Sequence, residues 1–511
     1  MKKIWEFMKT RLFITGVIIV LQLLLVIIAV LSLLEYFSYI YILYSIIGIL
    51  IIIRIANREI APSLKLPWAV IVLSIPIVGG LLYIMFGEHR LKKGFISNSE
   101  TILSKLKEVQ IQDSEIYKEL RNDNKIIANQ SRYLENYSLA PVFKNTSTKY
   151  LKVGEEFFEE LKKDLLKAKK FIFMEFFIVQ EGKMFDEVLD ILIQKVNEGV
   201  EVRFMYDDLG CIRLLRPKYN LKLEALGIKC KVFNPFIPVL SIGHNNRDHR
   251  KIVVVDGNVG YTGGINLADE YINHIDRFGH WKDTGIRIEG SGVQTFTMMF
   301  LSMWNSIEDS NDDYHDYLST RHVQKNKYDD GYVQPFGDSP LDDELVGEFA
   351  YINILNNAKD YVYIYTPYFV VDYTLLAAIL NAAKRGVDIR IITPHIPDKW
   401  YVHIMTQSYY KQLIDANIRV FEYGPGFIHG KSFISDDEVG IIGTINLDYR
   451  SLVHHFECGV WMYKSKAILE MKKDFFETQE KSIEITSDMC KNVKWYVRWY
   501  REVFQFLAPL L

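Results

Sequence analysis

The stretch "HRKIVVVDGNVGYTGGINL" at residues 249–267 is repeated as "HGKSFISDDEVGIIGTINL" at residues 429–447. A histidine, a lysine, an aspartate and an asparagine keep the same offsets in both copies: His249, Lys251, Asp256 and Asn266 in the first, and His429, Lys431, Asp436 and Asn446 in the second. A histidine without a role would not be expected to recur with such companions in register. The repeat therefore predicts one site to which both copies contribute.

The surroundings of the two copies are also repeated. "AKKFIFMEFFIV" (168–179) corresponds to "AKDYVYIYTPYFV" (358–370), and "GVEVRFMYDD" (199–208) corresponds to "GVDIRIITPH" (386–395). Short β-branched runs alternate with amphipathic helical stretches, as in β-α-β units. We predict an α/β fold whose two halves, 141–325 and 326–511, pack about a pseudo-twofold axis. A helical connection over 91–140 would precede them, and a segment rich in Asp, Asn, Gly and Pro near 310–345 would join them.

The overall charge and the cysteines exclude little. The chain has 60 basic and 63 acidic residues, so its net charge gives no reason to expect a nucleic-acid partner. Its four cysteines are far apart, without a C-x-x-C pair or a cluster of zinc type. Neither a disulfide framework nor a structural metal is predicted.

The first 90 residues contain apolar runs at 12–34, 36–53 and 68–86, which predict a transmembrane helical anchor and a multi-pass protein of the cell membrane. The positive-inside rule places the basic residues before the first run, and those between the second and third, in the cytoplasm. Pro76 and the Gly79-Gly80 pair interrupt the third run, which could span the bilayer or re-enter it. The side that the two halves face therefore stays open. The ending, 493–511, is predicted to be an interfacial segment beside lipid or, equally well, a packing helix.

The repeated residues suit displacement at phosphorus. On a strand, positions i and i+2 share a face, so each histidine projects beside its lysine. One neutral histidine could attack and form a phosphohistidine, while the other gives a proton to the departing alcohol and later takes one from the incoming alcohol. Carboxylates should orient the imidazoles, and we expect Asp283 in "HWKDTGI" and Glu457 in "HHFECGV" to do so.

The remaining polar groups suit a phosphate without a metal ion. The lysines would stabilise the phosphate oxygens electrostatically, and Asn266 and Asn446 would supply amide donors to them. Lysine is not a usual metal ligand. We therefore expect no metal and no other cofactor.

Duplicated H-x-K-x4-D motifs, each followed by Gly-x-x-Asn ("GGIN" at 263–266 and "GTIN" at 443–446), resemble the phospholipase D superfamily, and the chain is most similar to its bacterial cardiolipin synthases. The resemblance extends from about residue 40 to the end and rests on the following stretches: "REIAPSLKLPWAVIVLSIPIVGGLLYIMFGEHR" (58–90), "NNRDHRKIVVVDGNVGYTGGINLADEY" (245–271), "WKDTGIRIEG" (281–290), "TPYFVVD" (366–372), "GFIHGKSFISDDEVGIIGTINLDYRS" (426–451) and the ending "FQFLAPLL". It implies condensation of two phosphatidylglycerol molecules into cardiolipin and glycerol through a phosphatidyl-histidine intermediate. The partners it implies are phosphatidylglycerol and membrane lipids, with no nucleic acid.

The resemblance also implies roles for single residues. His249 would be the nucleophile and His429 the general acid/base, although the symmetry of the repeat allows the reverse. Asp256 and Asp436 belong to the motif, but their spacing favours a structural role. His454 and His455 stand where the family pattern has leucine and asparagine. His455 could be a replacement polar contact, but we favour a hydrogen-bonded histidine near the site that transfers no proton.

Other functions remain open on the sequence alone. Water could attack the same intermediate, which would make the protein a phospholipase D that releases phosphatidic acid. Phosphatidylethanolamine or a glycolipid could replace phosphatidylglycerol as acceptor. A nuclease would use the same chemistry, but the anchor and the lack of basic excess favour lipid. A membrane scaffold without turnover is disfavoured because both copies keep their histidine, lysine and asparagine. The oligomeric state is not predicted.

Overall fold

The structure, a computed structural model, describes scattered positions within 13–28 and then residues 37–58, 62–86, 93–236, 246–308, 312–318, 329–342, 344–491 and 493–510. The helices of the described residues are α1 Phe37–Ala56, α2 Pro62–Ser74, α3 Pro76–Phe86, α4 Lys93–Val109, α5 Ser114–Asp123, α6 Lys125–Ser138, α7 Gly154–Leu166, α8 Lys183–Asn197, α9 Asp208–Cys211, α10 Tyr219–Ala225, α11 Val293–Ile307, α12 Val346–Asn357, α13 Tyr373–Lys384, α14 Trp400–Asp415, α15 Lys466–Gln479, α16 Ser487–Lys491 and α17 Trp495–Leu507.

Strands of both halves join in one 16-stranded sheet. The strands of the first half are β1 Phe143–Leu151, β2 Phe171–Phe176, β3 Glu201–Asp207, β4 Lys229–Phe233, β5 Arg247–Asp248, β6 Ile252–Val255, β7 Val259–Gly263, β8 His280–Lys282 and β9 Gly285–Gly290. Those of the second half are β10 Asp329–Asp338, β11 Tyr361–Tyr365, β12 Phe369–Val370, β13 Asp388–Pro394, β14 Arg419–Tyr423, β15 Gly426–Ile428, β16 Ser432–Ser435, β17 Val439–Gly443, β18 Leu447–Asp448, β19 His455–Tyr463 and β20 Ser482–Glu484.

The strand order shows the duplication. Outward from the centre, the first half runs β1-β9-β7-β6-β2-β3-β4 and the second runs β10-β19-β17-β16-β11-β13-β14, ending in β20. The two central strands, β1 and β10, pair antiparallel, so equivalent strands of the two halves meet at the centre. This is the arrangement that a pseudo-twofold axis requires. The prediction of an α/β fold with two similar halves is confirmed.

Strands β2 and β11 are buried on both faces, which explains their apolar sequences. Every residue of β2, "FIFMEF", and of β11, "YVYIY", is buried. One hydrophobic cluster extends through both halves and includes Phe173 and Val254 from the first and Tyr363 and Val460 from the second. Because this core is shared, the halves form one packed unit in which side chains can meet across the centre.

The predicted connection near 310–345 contains a strand. Strand β10 occupies Asp329–Asp338 and pairs with β19 as well as with β1. Its glycines and its proline made the segment resemble a loop. The residues that join the halves therefore also supply the central strand of the second half.

The N-terminal region is helical where it is described. Most of the first apolar run, 12–34, lies outside the described residues, and α1 covers most of the second. The third run is broken at Ile75 into α2 and α3, and a Cβ at Gly79 would lie 2.4 Å from the Ile71 carbonyl oxygen, so the chain bends sharply there. Within the part of the chain that the structure describes, no helix combines the length and the apolar character needed to cross a membrane.

Candidate active site

Short strand pairs between the halves position the two repeated histidines. His249 follows β5, which pairs with the beginning of β19, and its backbone N–H donates to the Phe456 carbonyl at 3.0 Å. His429 follows β15, which pairs with β8, and its N–H donates to the Lys282 carbonyl at 2.7 Å. The backbone of each histidine is therefore hydrogen-bonded to the other half of the chain. The accepting residues, Phe456 and Lys282, directly precede the carboxylates Glu457 and Asp283.

The side chains of the histidines also form hydrogen bonds between the two halves. His249 Nδ1 lies 2.8 Å from Glu457 Oε1, and His429 Nδ1 lies 2.7 Å from Asp283 Oδ2. Both carboxylates are completely buried. An ionised carboxylate only accepts hydrogen bonds, so each Nδ1 carries the proton and each Nε2 keeps its lone pair. The sequence proposed Asp283 and Glu457 as orienting groups, and the structure assigns each of them to the histidine of the opposite half.

Each of the two lysines contacts the backbone of the histidine in its own motif. Lys251 Nζ donates to the His249 carbonyl at 2.6 Å, and Lys431 Nζ donates to the His429 carbonyl. Both lysines are buried, and burial lowers the pKa of Lys251 to about 8 and that of Lys431 to about 7. Each ammonium group thus lies against the backbone of its own histidine, and its contact with a phosphate stays a prediction.

Burial also keeps the histidines neutral. It lowers the pKa of His249 well below its ordinary value and that of His429 to about 4, and in both cases the nearby lysine charges lower it further. For Asp283, burial favours the neutral acid, but the hydrogen bond from His429 and the positive charge of Lys431 outweigh it and lower the pKa of the carboxyl. A neutral imidazole beside an ionised carboxylate is the state that a nucleophile or a general base needs.

The motif aspartates lie away from this centre. Asp256 follows β6 and accepts hydrogen bonds from the backbone N–H groups of residues 169–171, and Asp436 accepts from those of residues 359–361. Both adopt a positive φ, 53° and 57°. Their position agrees with a structural role. Asp256 fixes the turn after β6 to the beginning of β2, and Asp436 fixes the turn after β16 to the beginning of β11.

The two asparagines differ in their contacts. Asn266 Oδ1 accepts from the Ile178 N–H at 2.9 Å, and its amide nitrogen donates to the Tyr271 hydroxyl at 2.8 Å. Asn446 Oδ1 is buried and has no hydrogen-bond partner among the described residues. Asn266 therefore holds the segment around it together, and a contact of either side chain with phosphate stays a prediction.

Several supporting residues were not predicted from the sequence. Ser451 and Thr444 donate their hydroxyl protons to Glu457, and Asp207 accepts from Arg247 at 2.7 Å and from the Asp248 N–H at 3.1 Å. Asp207 thereby fixes β5 just before His249. A serine or an aspartate is common in any sequence, so only the contact reveals the role.

Trp281 and His455 occupy equivalent positions, each preceding its carboxylate by two residues. Trp281 lies 5.5 Å from His429 between ring centroids, and its indole N–H donates to Asp283 at 3.5 Å. His455 lies at the same 5.5 Å from His249, yet its Nδ1 is 3.8 Å from Glu457 Oε1, too far for a hydrogen bond. Neither ring nitrogen of the buried His455 has a hydrogen-bond partner among the described residues. The expectation of a hydrogen-bonded histidine was wrong.

Comparisons with known proteins agree with this architecture. The sequence model described as "Cardiolipin synthase, PLD-like domain" matches residues 161–304 and 351–478, and "Phospholipase_D-nuclease N-terminal" matches 43–88. Phosphatidylserine synthase of Haemophilus influenzae has the same fold, with a TM-score of 0.53 and 14% identity over 75% of this chain and 97% of its own.

Relatives with higher sequence identity cover almost the whole chain. An uncharacterized protein of Streptococcus mutans is 44% identical over 90% of this chain and 99% of its own length. Cardiolipin synthase of Halalkalibacterium halodurans is 33% identical over 90% and 91%, and cardiolipin synthase 2 of Bacillus cereus is 33% identical over 90% and 89%. The fold is thus that of a phospholipase D-like enzyme. Within that class, the chain belongs to the cardiolipin synthase family.

Proposed function

We propose that this protein transfers a phosphatidyl group from one phosphatidylglycerol molecule to another, which gives cardiolipin and glycerol. The observation that carries the proposal is the exchanged pairing of His249 with Glu457 and of His429 with Asp283. Transfer between two alcohols needs one group that holds the phosphatidyl unit and a second that moves protons. Two buried imidazoles, each with its own carboxylate, supply both.

In the first step, His249 Nε2 attacks the phosphorus of the first phosphatidylglycerol. A phosphorus–nitrogen bond forms, and the bond from phosphorus to the oxygen of the head-group glycerol breaks. His429, protonated at Nε2 once the substrate phosphate is present, gives that proton to the departing oxygen, so that glycerol leaves as a neutral alcohol. The product is a phosphatidyl-enzyme linked through His249, with His429 neutral.

In the second step, the head-group hydroxyl of another phosphatidylglycerol attacks the same phosphorus. Neutral His429 takes the proton of this hydroxyl, and the phosphorus–nitrogen bond breaks as the new phosphorus–oxygen bond forms. Cardiolipin leaves and both histidines return to their starting states. Lys251 and Lys431 stabilise the charge on the phosphate oxygens in both steps, and this electrostatic contribution needs no metal ion.

The membrane arrangement belongs to the same proposal. The apolar runs in the first 90 residues would anchor the chain as a multi-pass protein of the cell membrane, where its substrates reside. The C-terminal helix α17 supports contact with lipid, since Trp495 and Trp499 are 81% and 56% exposed beside the basic residues Lys494 and Arg498. Ala508, just after α17, packs in one cluster with Leu64 of α2, so the end of α17 lies close to the N-terminal helices.

Product analysis by mass spectrometry tests the reaction. The purified chain would be incubated with phosphatidylglycerol in mixed micelles without added divalent metal, beside His249→Ala and His429→Ala. We expect cardiolipin and glycerol from the parent only. Phosphatidic acid without cardiolipin would identify a hydrolase, and cardiolipin from either variant at the parent's rate would contradict the two-histidine mechanism. A parent without any product would favour a scaffold.

A further inference from the structure

His455, which stands opposite Trp281, is a difference between the two sides of the site that the proposed reaction does not use. It lies beside the His249–Glu457 pair. Its ring is buried, and neither ring nitrogen makes a hydrogen bond with the described residues. A buried imidazole without a partner is costly, because it loses its hydrogen bonds to water and gains none in return. Such a group points to a ligand that is bound part of the time.

We propose that His249, His455 and Glu457 form an inhibitory binding site for a divalent transition-metal ion of the zinc type. Each of the three offers one ligand atom, and these atoms all lie within 4.8 Å of one another. Two imidazole nitrogens and one carboxylate oxygen form a ligand set that zinc accepts, with an open fourth position. The metal site follows from these contacts alone, whereas its inhibitory effect rests on the proposed function.

The separations between the ligand atoms suit this set. Glu457 Oε1 is 2.8 Å from His249 Nδ1 and 3.8 Å from His455 Nδ1. Metal–ligand bonds of about 2.0 to 2.2 Å in a tetrahedral site place the ligand atoms roughly 3.3 Å apart. The observed distances lie on both sides of that value, so adjustments of the three side chains, chiefly of the His455 ring, would complete the site.

Hydroxyl groups already hold the carboxylate in place. Ser451 donates to Glu457 Oε1 and Thr444 donates to Oε2. Groups of this kind orient metal ligands and raise the affinity of the site. Glu457 is completely buried, so its negative charge is poorly screened by water and favours a cation at this position.

The ion would inhibit by changing the tautomer of His249. In the active state Nδ1 carries the proton that it donates to Glu457, and Nε2 has the lone pair that attacks phosphorus. A metal ion on Nδ1 needs the lone pair of that nitrogen, so the single proton of the neutral ring moves to Nε2. The nucleophilic lone pair is then lost. Removal of the metal ion returns the proton to Nδ1 and restores the nucleophile.

The other histidine–carboxylate pair, His429 with Asp283, allows a comparison within the same chain. Trp281 replaces His455 there, and an indole donates a hydrogen bond but has no lone pair for a metal ion. His429 and Asp283 therefore have the same geometry without a third ligand. One site per chain is expected.

Zinc binding tests the proposal without reference to activity. The full chain in detergent micelles, freed of metal, would be titrated with zinc chloride in competition with a chromophoric chelator. We expect one zinc ion per parent chain and at least about 10-fold weaker binding to His455→Asn and His455→Gln. His274→Asn, which removes an exposed histidine far along the chain from this group, serves as the matched control and should bind as the parent does.

Activity then tests inhibition. Cardiolipin formation by the parent and by His274→Asn should fall on addition of zinc and recover with EDTA, while both His455 variants keep their metal-free activity and resist zinc. Parent-like zinc binding by correctly folded His455 variants, or no binding by the parent, would overturn the metal site. If zinc binds as expected but the metal-free parent forms no cardiolipin, the proposed function fails and the metal site stands. Zinc binding through His455 with undiminished cardiolipin formation would overturn the inhibitory role alone.

Discussion

The two catalytic candidates, His249 and His429, have the same bond to a carboxylate but different surroundings. Around His249, Glu457 is hydrogen-bonded by two hydroxyl groups. Around His429, Asp283 accepts from two N–H donors, Thr284 at 2.8 Å and the Trp281 indole at 3.5 Å. Burial opposes its ionisation, but the hydrogen bond from His429 and the charge of Lys431 lower its pKa. The carboxylates thus differ in the kind of donor and not in the number, so these contacts do not assign the roles. His249 as nucleophile and His429 as proton carrier stays a prediction, which the repeat cannot decide either.

The largest expected effect comes from separating these two roles. A phosphatidyl ester of p-nitrophenol has a leaving group that needs no proton, so its loss should not require His429. We expect His429→Ala to release a burst of p-nitrophenolate and to retain a phosphatidyl group, whereas His249→Ala does neither. With phosphatidylglycerol itself, both variants should lose at least about 10⁴-fold in rate. A burst from His249→Ala instead would reverse the assignment of the two histidines.

A second effect concerns the position that precedes each Ile-Asn pair. A Cβ on Gly264 would lie 2.1 Å from Asp283 Oδ1 and 2.8 Å from the His429 carbonyl oxygen, whereas the equivalent Thr444 bonds to Glu457. Gly264→Ala should therefore displace Asp283 and lower kcat by about 10²-fold. Thr444→Ala removes one hydrogen bond to a charged group and should cost about 10-fold. Steady-state kinetics and circular dichroism would check both, and equal losses in the two variants would mean that the crowding at Gly264 does not matter.

The smallest expected effect is the pH dependence of kcat/KM that the two lysines cause. Burial lowers the pKa of Lys431 to about 7 and that of Lys251 to about 8, so both lose their positive charge as pH rises through this range. Because kcat/KM reports on the free enzyme, we expect it to fall by roughly 10-fold between pH 7 and pH 9. Lys431 should lose its proton first, so Lys431→Met should fall less steeply over this range than the parent. A parent profile that is flat to pH 9 would contradict the lowered pKa values.

The prediction of two similar halves was reliable because it rested on many positions at once. Strand and helix periodicity recurred in the same order as the polar motif, and such agreement requires repeated structure. The strand within the segment near 310–345 was not predicted, because glycine, proline and aspartate are typical of turns. Its pairing with β1 and β19 supplies hydrogen bonds that overcome this local preference.

The sequence by itself determined that two histidines and two lysines would meet, since they recur in register, and it proposed Asp283 and Glu457 as the carboxylates that orient the histidines. Only the tertiary structure decided their partners. The pairing of β5 with β19 and of β8 with β15 carries each histidine to the carboxylate of the other half. The same pairing sets His455 beside His249 and Trp281 beside His429. These contacts join residues far apart in the chain, and local sequence preferences carry no information about which distant strands will share hydrogen bonds.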